Sequence, residues 1–278
     1  MPIINRHLLL HNLDQEKNQL SPKDLFSKQS KQYASSRPTY PRKLFEFIVG
    51  LVNEKKNLAW DCATGNGQAA VVLADYFKHV VASDISAKQI ENAQQKSNIT
   101  YQLFPAEKTP LEDSTVDLIT IAQALHWFDF DKFYSETKRV LKNKNNSKSK
   151  GAIIAAWTYG FHSISAEVDK VSYRLYEDIL GDKYWEPERK YVEYKYETIP
   201  FPFEQIPAPQ FQIELNWNMY DLVNYFHSWS SVQKFIDKNN YDPVSDILDS
   251  LEDAWGGKHR VNEKRKVVWP IYLKVGTQ

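Results

Sequence analysis

The stretch Leu58 to Ala70, LAWDCATGNGQAA, decides the fold, because an apolar strand runs into an acid, a glycine-containing turn follows, and small residues open a helix. Gly65 and Gly67 carry no Cβ, so the turn Asp61-Cys62-Ala63-Thr64-Gly65-Asn66-Gly67 can adopt positive φ and bring its backbone close to a ligand. Seventeen residues beyond Gly67, at the end of a second apolar run (Val80, Val81, Ala82), stands Asp84. In a doubly wound sheet, an acid at the tip of the second strand is placed to accept the two ribose hydroxyls of a nucleoside. The pattern Gly65-Asn66-Gly67-Gln68-Ala69-Ala70 leaves a dinucleotide open, with Ala70 as the permitted small substitute for a third glycine. Asp61 weighs against it: a strand-end acid at that place repels a pyrophosphate and suits a cationic amine.

Outward from this elbow, strand and helix alternate. Strands are expected near Leu58 to Asp61, Val80 to Asp84, Thr100 to Phe104, Val116 to Ile121 and Ala152 to Trp157, with helices from Gln68, from Ala87 and around Asp131 to Leu141. Ser86 is placed to cap the helix from Ala87. Strands separated by helices of this size imply right-handed crossovers and a parallel sheet. The segment KNKNNSKSKG, Lys142 to Gly151, reads as a solvated lysine-rich loop rather than a binding patch.

The elbow resembles motif I of the class I S-adenosylmethionine-dependent methyltransferases, D-x-G-C/A-G-x-G, with Ala63 where many members have glycine. Asp84-Ile85-Ser86 resembles the ribose-binding strand end, Pro105-Ala106-Glu107 the adenine loop, and FSKQSKQYASSRPTYP, Phe26 to Pro41, the N-terminal entry segment. STVDLITIAQALHWFD, Ser114 to Asp129, is similar to the fourth strand and following loop of the trans-aconitate methyltransferase-like branch. The motifs cover Phe26 to Trp157 in the family's order. The resemblance implies an α/β, Rossmann-like, doubly wound and mostly parallel seven-stranded sheet with an antiparallel edge hairpin and a helical cap. It divides the chain into an entry segment and cap helix (1–45), a cofactor-binding core (46–157), and cap insertions with the last two strands (158–278), all one continuous domain with a lid.

Beyond Trp157 the pattern fits a cap. Val168 to Leu180, Leu222 to Ile236 and Val244 to Trp255 read as helices, and Phe211 to Trp217 and Val267 to Val275 as the pair of edge strands. The segment from Phe201 to Pro209 is too rich in proline for either regular element.

Composition excludes some partners. The 35 basic residues equal the 35 acidic ones, which argues against nucleic acid or an anionic membrane surface. The single cysteine, Cys62, cannot form an intramolecular disulfide, and no stretch approaches the roughly 18 apolar residues of a membrane span. A soluble, cytoplasmic protein without a metal site is expected, as a monomer or a homodimer.

Methyl transfer from a sulfonium needs little beyond alignment, since the leaving group is already good. A carboxylate acceptor needs only desolvation and orientation; a hydroxyl or carbon acid needs a base. His126, after the fourth strand, is the candidate for that base, set against a role in anchoring its loop. The resemblance implies S-adenosylmethionine contacts, with S-adenosylhomocysteine as product, at Tyr33, Arg37, Asp61, Ala63, Thr64, Gly65, Gly67, Gln68, Asp84, Ile85, Ser86, Ala106, Glu107, Gln123, Ala124 and His126. It places Arg37, Tyr40, Trp127, Trp157 and Trp229 against a small-molecule methyl acceptor, Trp229 through the His227-Ser228-Trp229-Ser230-Ser231 segment. A carboxylic acid is the acceptor of its trans-aconitate-like relatives. Two other readings stay open: a nicotinamide-dependent oxidoreductase, which Asp61 and the lack of a Tyr-x-x-x-Lys relay disfavour, and a catalytically silent S-adenosylmethionine-binding protein.

Overall fold

Helix α1 (Arg42–Leu51) leads into strand β1 (Leu58–Cys62), and Leu44, Phe45, Ile48 and Val49 form the helix's buried stripe at helical spacing. The computed structural model describes residues 37–53, 55–143 and 151–278. Tyr33 and most of the Lys142 to Gly151 loop lie outside them. The chain continues through α2 (Gln68–Leu73), β2 (His79–Asp84), α3 (Ala87–Glu91), β3 (Ile99–Leu103), β4 (Leu118–Ala122), α4 (Phe130–Val140) and β5 (Ile153–Tyr159). Ser86 caps α3 by accepting the Gln89 N–H at 3.4 Å. Asp129 caps α4 through the Lys132 N–H at 3.2 Å.

The five strands pair in parallel in the order β3-β2-β1-β4-β5. The long strand β8 (Arg265–Thr277) joins antiparallel to β5, and β7 (Phe211–Trp217) pairs antiparallel with β8. An eighth strand extends the expected seven: Glu204–Gln205, β6, pairs with the last turn-free residues of β8 inside the proline-rich segment. Edge strands tolerate flanking prolines because one side of their backbone needs no ladder. Gly276 permits the approach, since a Cβ there would lie 2.9 Å from the Glu204 carbonyl oxygen.

Side chains alternate across the sheet with the strand period of two. Along β5, Ile153, Ala155 and Trp157 join the layer containing α1, while Ile154 and Ala156 join the layer containing Trp60 and Phe133. Both faces are covered, as a parallel sheet requires. Asp117 braces the start of the central strands: its Oδ2 accepts the Asn57 and Leu58 N–H groups at 2.9 Å, and its Oδ1 takes the Lys142 ammonium at 2.6 Å.

The cap helices depart from their expected bounds in ways local chemistry explains. Val168 to Leu180 divides into α5 (Ala166–Tyr173) and a π-helical stretch, Arg174–Leu180. Two short helices follow, α6 (Gly181–Tyr184) and α7 (Arg189–Glu193). Leu222 to Ile236 is two helices, α8 (Met219–His227) and α9 (Ser230–Asn239), separated by an extended Trp229. The Ser228 hydroxyl donates to the Tyr225 carbonyl at 2.6 Å, and side-chain bonds of this kind compete with the helical ladder. Val244 to Trp255 begins as a 3-10 turn, Pro243–Ile247, whose entry Asp242 caps, before α10 (Leu248–Ala254). Among the described residues no helix is long and apolar enough to cross a membrane.

Candidate functional site

The elbow after β1 is held in shape by its own backbone and by two acids. Thr64 N–H donates to the Ser83 carbonyl at 2.8 Å, and Gly67 N–H to the Thr64 carbonyl at 3.0 Å. Ala63, Gly65 and Gly67 lie at φ of 52°, 57° and 84°, so the turn is left-handed at three places. The usual glycine at the Ala63 position has its reason here, since a Cβ is disfavoured in this region. A Cβ on Gly67 would lie 2.2 Å from the Tyr101 hydroxyl, so a side chain there would be strained at this φ and would displace the Tyr101 ring.

Asp61 lies beneath the turn, only 1% exposed. Its carboxylate accepts the Thr64 hydroxyl at 2.5 Å and the Thr120 hydroxyl at 2.7 Å. Burial pushes its carboxyl up to about 6, against the two threonine bonds, which hold it down. Asp84 spans two loops: Oδ2 accepts the Gly65 N–H and Oδ1 the Ser86 N–H, both at 2.9 Å.

A cleft of about 1190 Å³, counted out to its open mouth, lies across the carboxyl ends of the parallel strands. This is where open α/β sheets bind ligands. Ala63, Thr64, Gly65 and Gln68 line its elbow side, with Asp84, Ile85 and Ser86 at the tip of β2. Ala106 and Glu107 follow β3; Gln123, Ala124 and Trp127 follow β4; Arg37 and Tyr40 reach in from the entry segment. Glu107 Oε1 also accepts the Asp129 N–H at 3.1 Å, which ties the loop after β3 to the loop after β4.

Several residues singled out in the sequence fall elsewhere. Asp61 and Gly67 shape the elbow from behind. His126 sits in the single-turn 3-10 helix Leu125–Trp127, 8% exposed, with Nδ1 2.7 Å from the Tyr196 hydroxyl, and is not part of the cleft lining. Burial, helped by the Arg189 charge, pushes its imidazole down to about 3. Trp157 is fully buried by the β5 alternation, packs edge-on against Tyr40 at 5.4 Å and Phe45 at 5.8 Å, and is not part of the cleft lining. Trp229 is 4% exposed among Tyr225, Phe226 and Trp185, a cap-core position rather than a cleft one.

Sequence reasoning missed Pro38, Asn66, Ala69, Gln89, Phe104, Ala122 and Tyr159 in the lining. Tyr159 was within reach of it: the last residue of β5 is at the carboxyl edge by the same rule that picked out Asp84. Its hydroxyl accepts a bond from Arg37 Nη1 at 3.0 Å, while Arg37 Nη2 donates to the Ser228 carbonyl at 2.9 Å. The guanidinium also lies 5.6 Å from the centre of the Tyr225 ring. Arg37 thus joins the entry segment, β5 and the cap. Among the described residues no cluster of side chains suits a metal ion.

The methyltransferase-domain family, Methyltransf_11, matches residues 60–145 of this chain. A Dictyostelium discoideum protein named "Putative methyltransferase" is 37% identical over 252 residues, covering 90% of this chain and 93% of that protein. A solved structure from Anaeromyxobacter dehalogenans, a "Putative Type II Methyltransferase", is 38% identical, with a TM-score of 0.76 over 87% of this chain and 97% of that one. A Saccharomyces cerevisiae protein named "Probable S-adenosylmethionine-dependent methyltransferase" is 25% identical over 123 residues, 41% of this chain and 42% of that protein. With the elbow, the Asp84 strand tip and the Rossmann-like sheet, this likeness across nearly the whole length shows that the chain belongs to the class I S-adenosylmethionine-dependent methyltransferases.

Proposed function

We propose that the protein methylates a small-molecule acceptor bound between the elbow and the cap, and that the acceptor is a carboxylic acid, as in the trans-aconitate-like branch. The observation that carries this is Arg37: it is the one cationic side chain lining the cleft among the described residues. A guanidinium fixed by Tyr159 and the Ser228 carbonyl is a preorganised partner for a carboxylate.

The residues present fit S-adenosylmethionine. Asp84 presents acceptors where a ribose would lie, and Ala106, Ile85 and Phe104 offer small or apolar surface beside it. When bound, the cofactor supplies an electrophilic sulfonium methyl. In this reading Asp84 and Glu107 hold the nucleoside, Ala63, Thr64, Gly65 and Gln68 form the floor beneath the amino-acid end, and the buried Asp61 carboxylate favours its positive charges. Gln123 and Ala124 border the sulfur. Tyr40 and Trp127 exclude water on the acceptor side, and the cap helices within residues 158–278 form the lid.

A carboxylate acceptor attacks without losing a proton, which agrees with where His126 lies. Its imidazole is bonded to Tyr196 and held neutral behind the wall, so it fixes the loop that carries Trp127. Transfer of a labelled methyl group from S-adenosylmethionine to a panel of carboxylic acids, with amines and phenols alongside, tests this reading. Labelling of acids supports it; labelling confined to amines or phenols contradicts it.

A further inference from the structure

Tyr196 comes from the chain beyond β5, yet it lies fully buried in the layer of the sheet that holds Trp60 and Phe133. It is brought there by two successive left-handed residues beyond the end of α7, Lys195 at φ 55° and Tyr196 at φ 62°. A bulky residue at such a φ is an outlier, and strain of this kind persists only where the surroundings hold it. The Lys195 N–H closes the turn on the Val192 carbonyl at 2.9 Å and the Tyr196 N–H on the Tyr191 carbonyl at 2.8 Å. The result is a phenol that meets the loops behind the cleft.

Its hydroxyl stands between the exits of β4 and β5. On the β4 side it lies 2.7 Å from His126 Nδ1, in the 3-10 turn whose next residue, Trp127, lines the cleft. On the β5 side it meets the Thr158 hydroxyl, which holds the phenol's pKa down while burial pushes it well up. A phenol has one hydrogen and two lone pairs, enough for both neighbours. Thr158 in turn donates to the Gln123 side-chain oxygen, which also accepts the Tyr159 N–H at 3.3 Å. Gln123 is itself left-handed, at φ 58°, and these bonds keep its side chain against β5. Two cleft-lining residues after β4 are thus reached from Tyr196, Gln123 through Thr158 and Trp127 through His126, while Tyr196 is not in the lining.

We propose that Tyr196 is a positioning residue of the cleft: its hydroxyl fixes the loop after β4 against the end of β5, so that Gln123 and Trp127 keep the places a bound ligand meets. The inference rests on the methyltransferase reading of the cleft. A hydroxyl that only satisfied a buried imidazole would serve stability; one that sets the wall also serves binding, and the two roles have different signatures.

Tyr196→Phe removes the hydroxyl and keeps the ring in its layer. Tyr134→Phe is the matched control, because that phenol is buried in the same layer and donates to the Pro200 carbonyl at 2.5 Å rather than to either loop. Thr158→Val breaks the link between Tyr196 and Gln123, and Thr158→Ser keeps it. Each variant is melted and titrated with S-adenosylhomocysteine. The expected affinity is about tenfold lower for Tyr196→Phe and for Thr158→Val, and that of wild type for Thr158→Ser and Tyr134→Phe. Because the two substitutions act through one link, Tyr196→Phe combined with Thr158→Val should fall well short of the roughly hundredfold loss that independent effects give. Tyr196→Phe that binds as tightly as Tyr134→Phe overturns the proposal, and so do losses that add in full. Thr158→Val with wild-type affinity overturns it as well, and the valine and serine pair decides the link even where Tyr196→Phe does not fold. Wild-type protein that does not bind S-adenosylhomocysteine defeats the methyltransferase reading itself, a result distinct from binding that the substitutions fail to alter.

Discussion

The Asp84 carboxylate accepts the Gly65 N–H at 2.9 Å, so the acid at the tip of β2 also holds the elbow that follows β1. One side chain therefore joins the proposed ribose site to the loop beside it. Asp84→Ala removes an acceptor from the Gly65 and Ser86 N–H groups, at a cost of about 1 to 3 kcal/mol in stability. The chain should still fold, with a melting temperature lowered by a few degrees, and should bind S-adenosylhomocysteine at least tenfold more weakly by calorimetry. Near-normal affinity would remove Asp84 from the ribose site.

Opposite signs are predicted for two neighbouring backbone substitutions. Gly67→Ala places a Cβ against the Tyr101 hydroxyl at φ 84° and should destabilise by at least about 1 to 2 kcal/mol, with partial rescue by Tyr101→Ala. Ala63→Gly relieves a Cβ at φ 52° and should be neutral or stabilising by up to about 1 kcal/mol. Denaturant unfolding of the three variants decides it; a loss of stability on Ala63→Gly would contradict the left-handed turn.

The pH dependence of the free protein should carry the signature of Asp61. Its carboxyl is raised by burial to about 6 from an ordinary 3.8, so the folded state holds this proton more tightly than the unfolded chain. Its favourable contribution is complete below about pH 4 and is lost as pH rises through 6, a change of roughly 3 kcal/mol. Asp61→Asn should abolish that slope and raise the melting temperature of the free protein at pH 7 while weakening S-adenosylhomocysteine binding. Melting curves from pH 4 to 8 that are the same for variant and wild type would show that the buried carboxylate is not strained.

His162 gives the opposite linkage. Its ring is 3% exposed, stacked 4.4 Å from Phe161 and flanked by Tyr225, Phe226 and Trp269, and neither nitrogen has a hydrogen-bond partner. Burial pushes it down to about 3 from 6.5, so the stability that depends on its neutral form is present above pH 6.5 and lost as pH falls toward 3. His162→Phe removes two unpaired buried nitrogens and should stabilise the cap by about 1 to 3 kcal/mol at pH 5, with a smaller gain at pH 8. Destabilisation by the same amount at both pH values would show that the ring's shape, not its polarity, is what the site needs.

Period-two alternation, the glycines of the elbow and the acid of β2 made the core legible in sequence, since each reflects a local steric or hydrogen-bonding demand. Phe211 to Trp217 is a strand with the bounds its alternation implies. What sequence could not show depends on which way a side chain turns. Trp157 faces the buried layer because of its parity in β5, and His126 turns toward Tyr196, a residue seventy positions away. The break at Trp229 likewise comes from a serine bond inside the helix, invisible to a periodicity that runs straight through it.

The most direct test is calorimetric titration of the protein with S-adenosylmethionine, S-adenosylhomocysteine and NAD in parallel. The account predicts micromolar binding of the first two and none of the third, because the cleft beside Asp84 is proposed to take a single nucleoside with a cationic tail and no pyrophosphate. Binding of NAD alone would contradict it, and so would silence from all three.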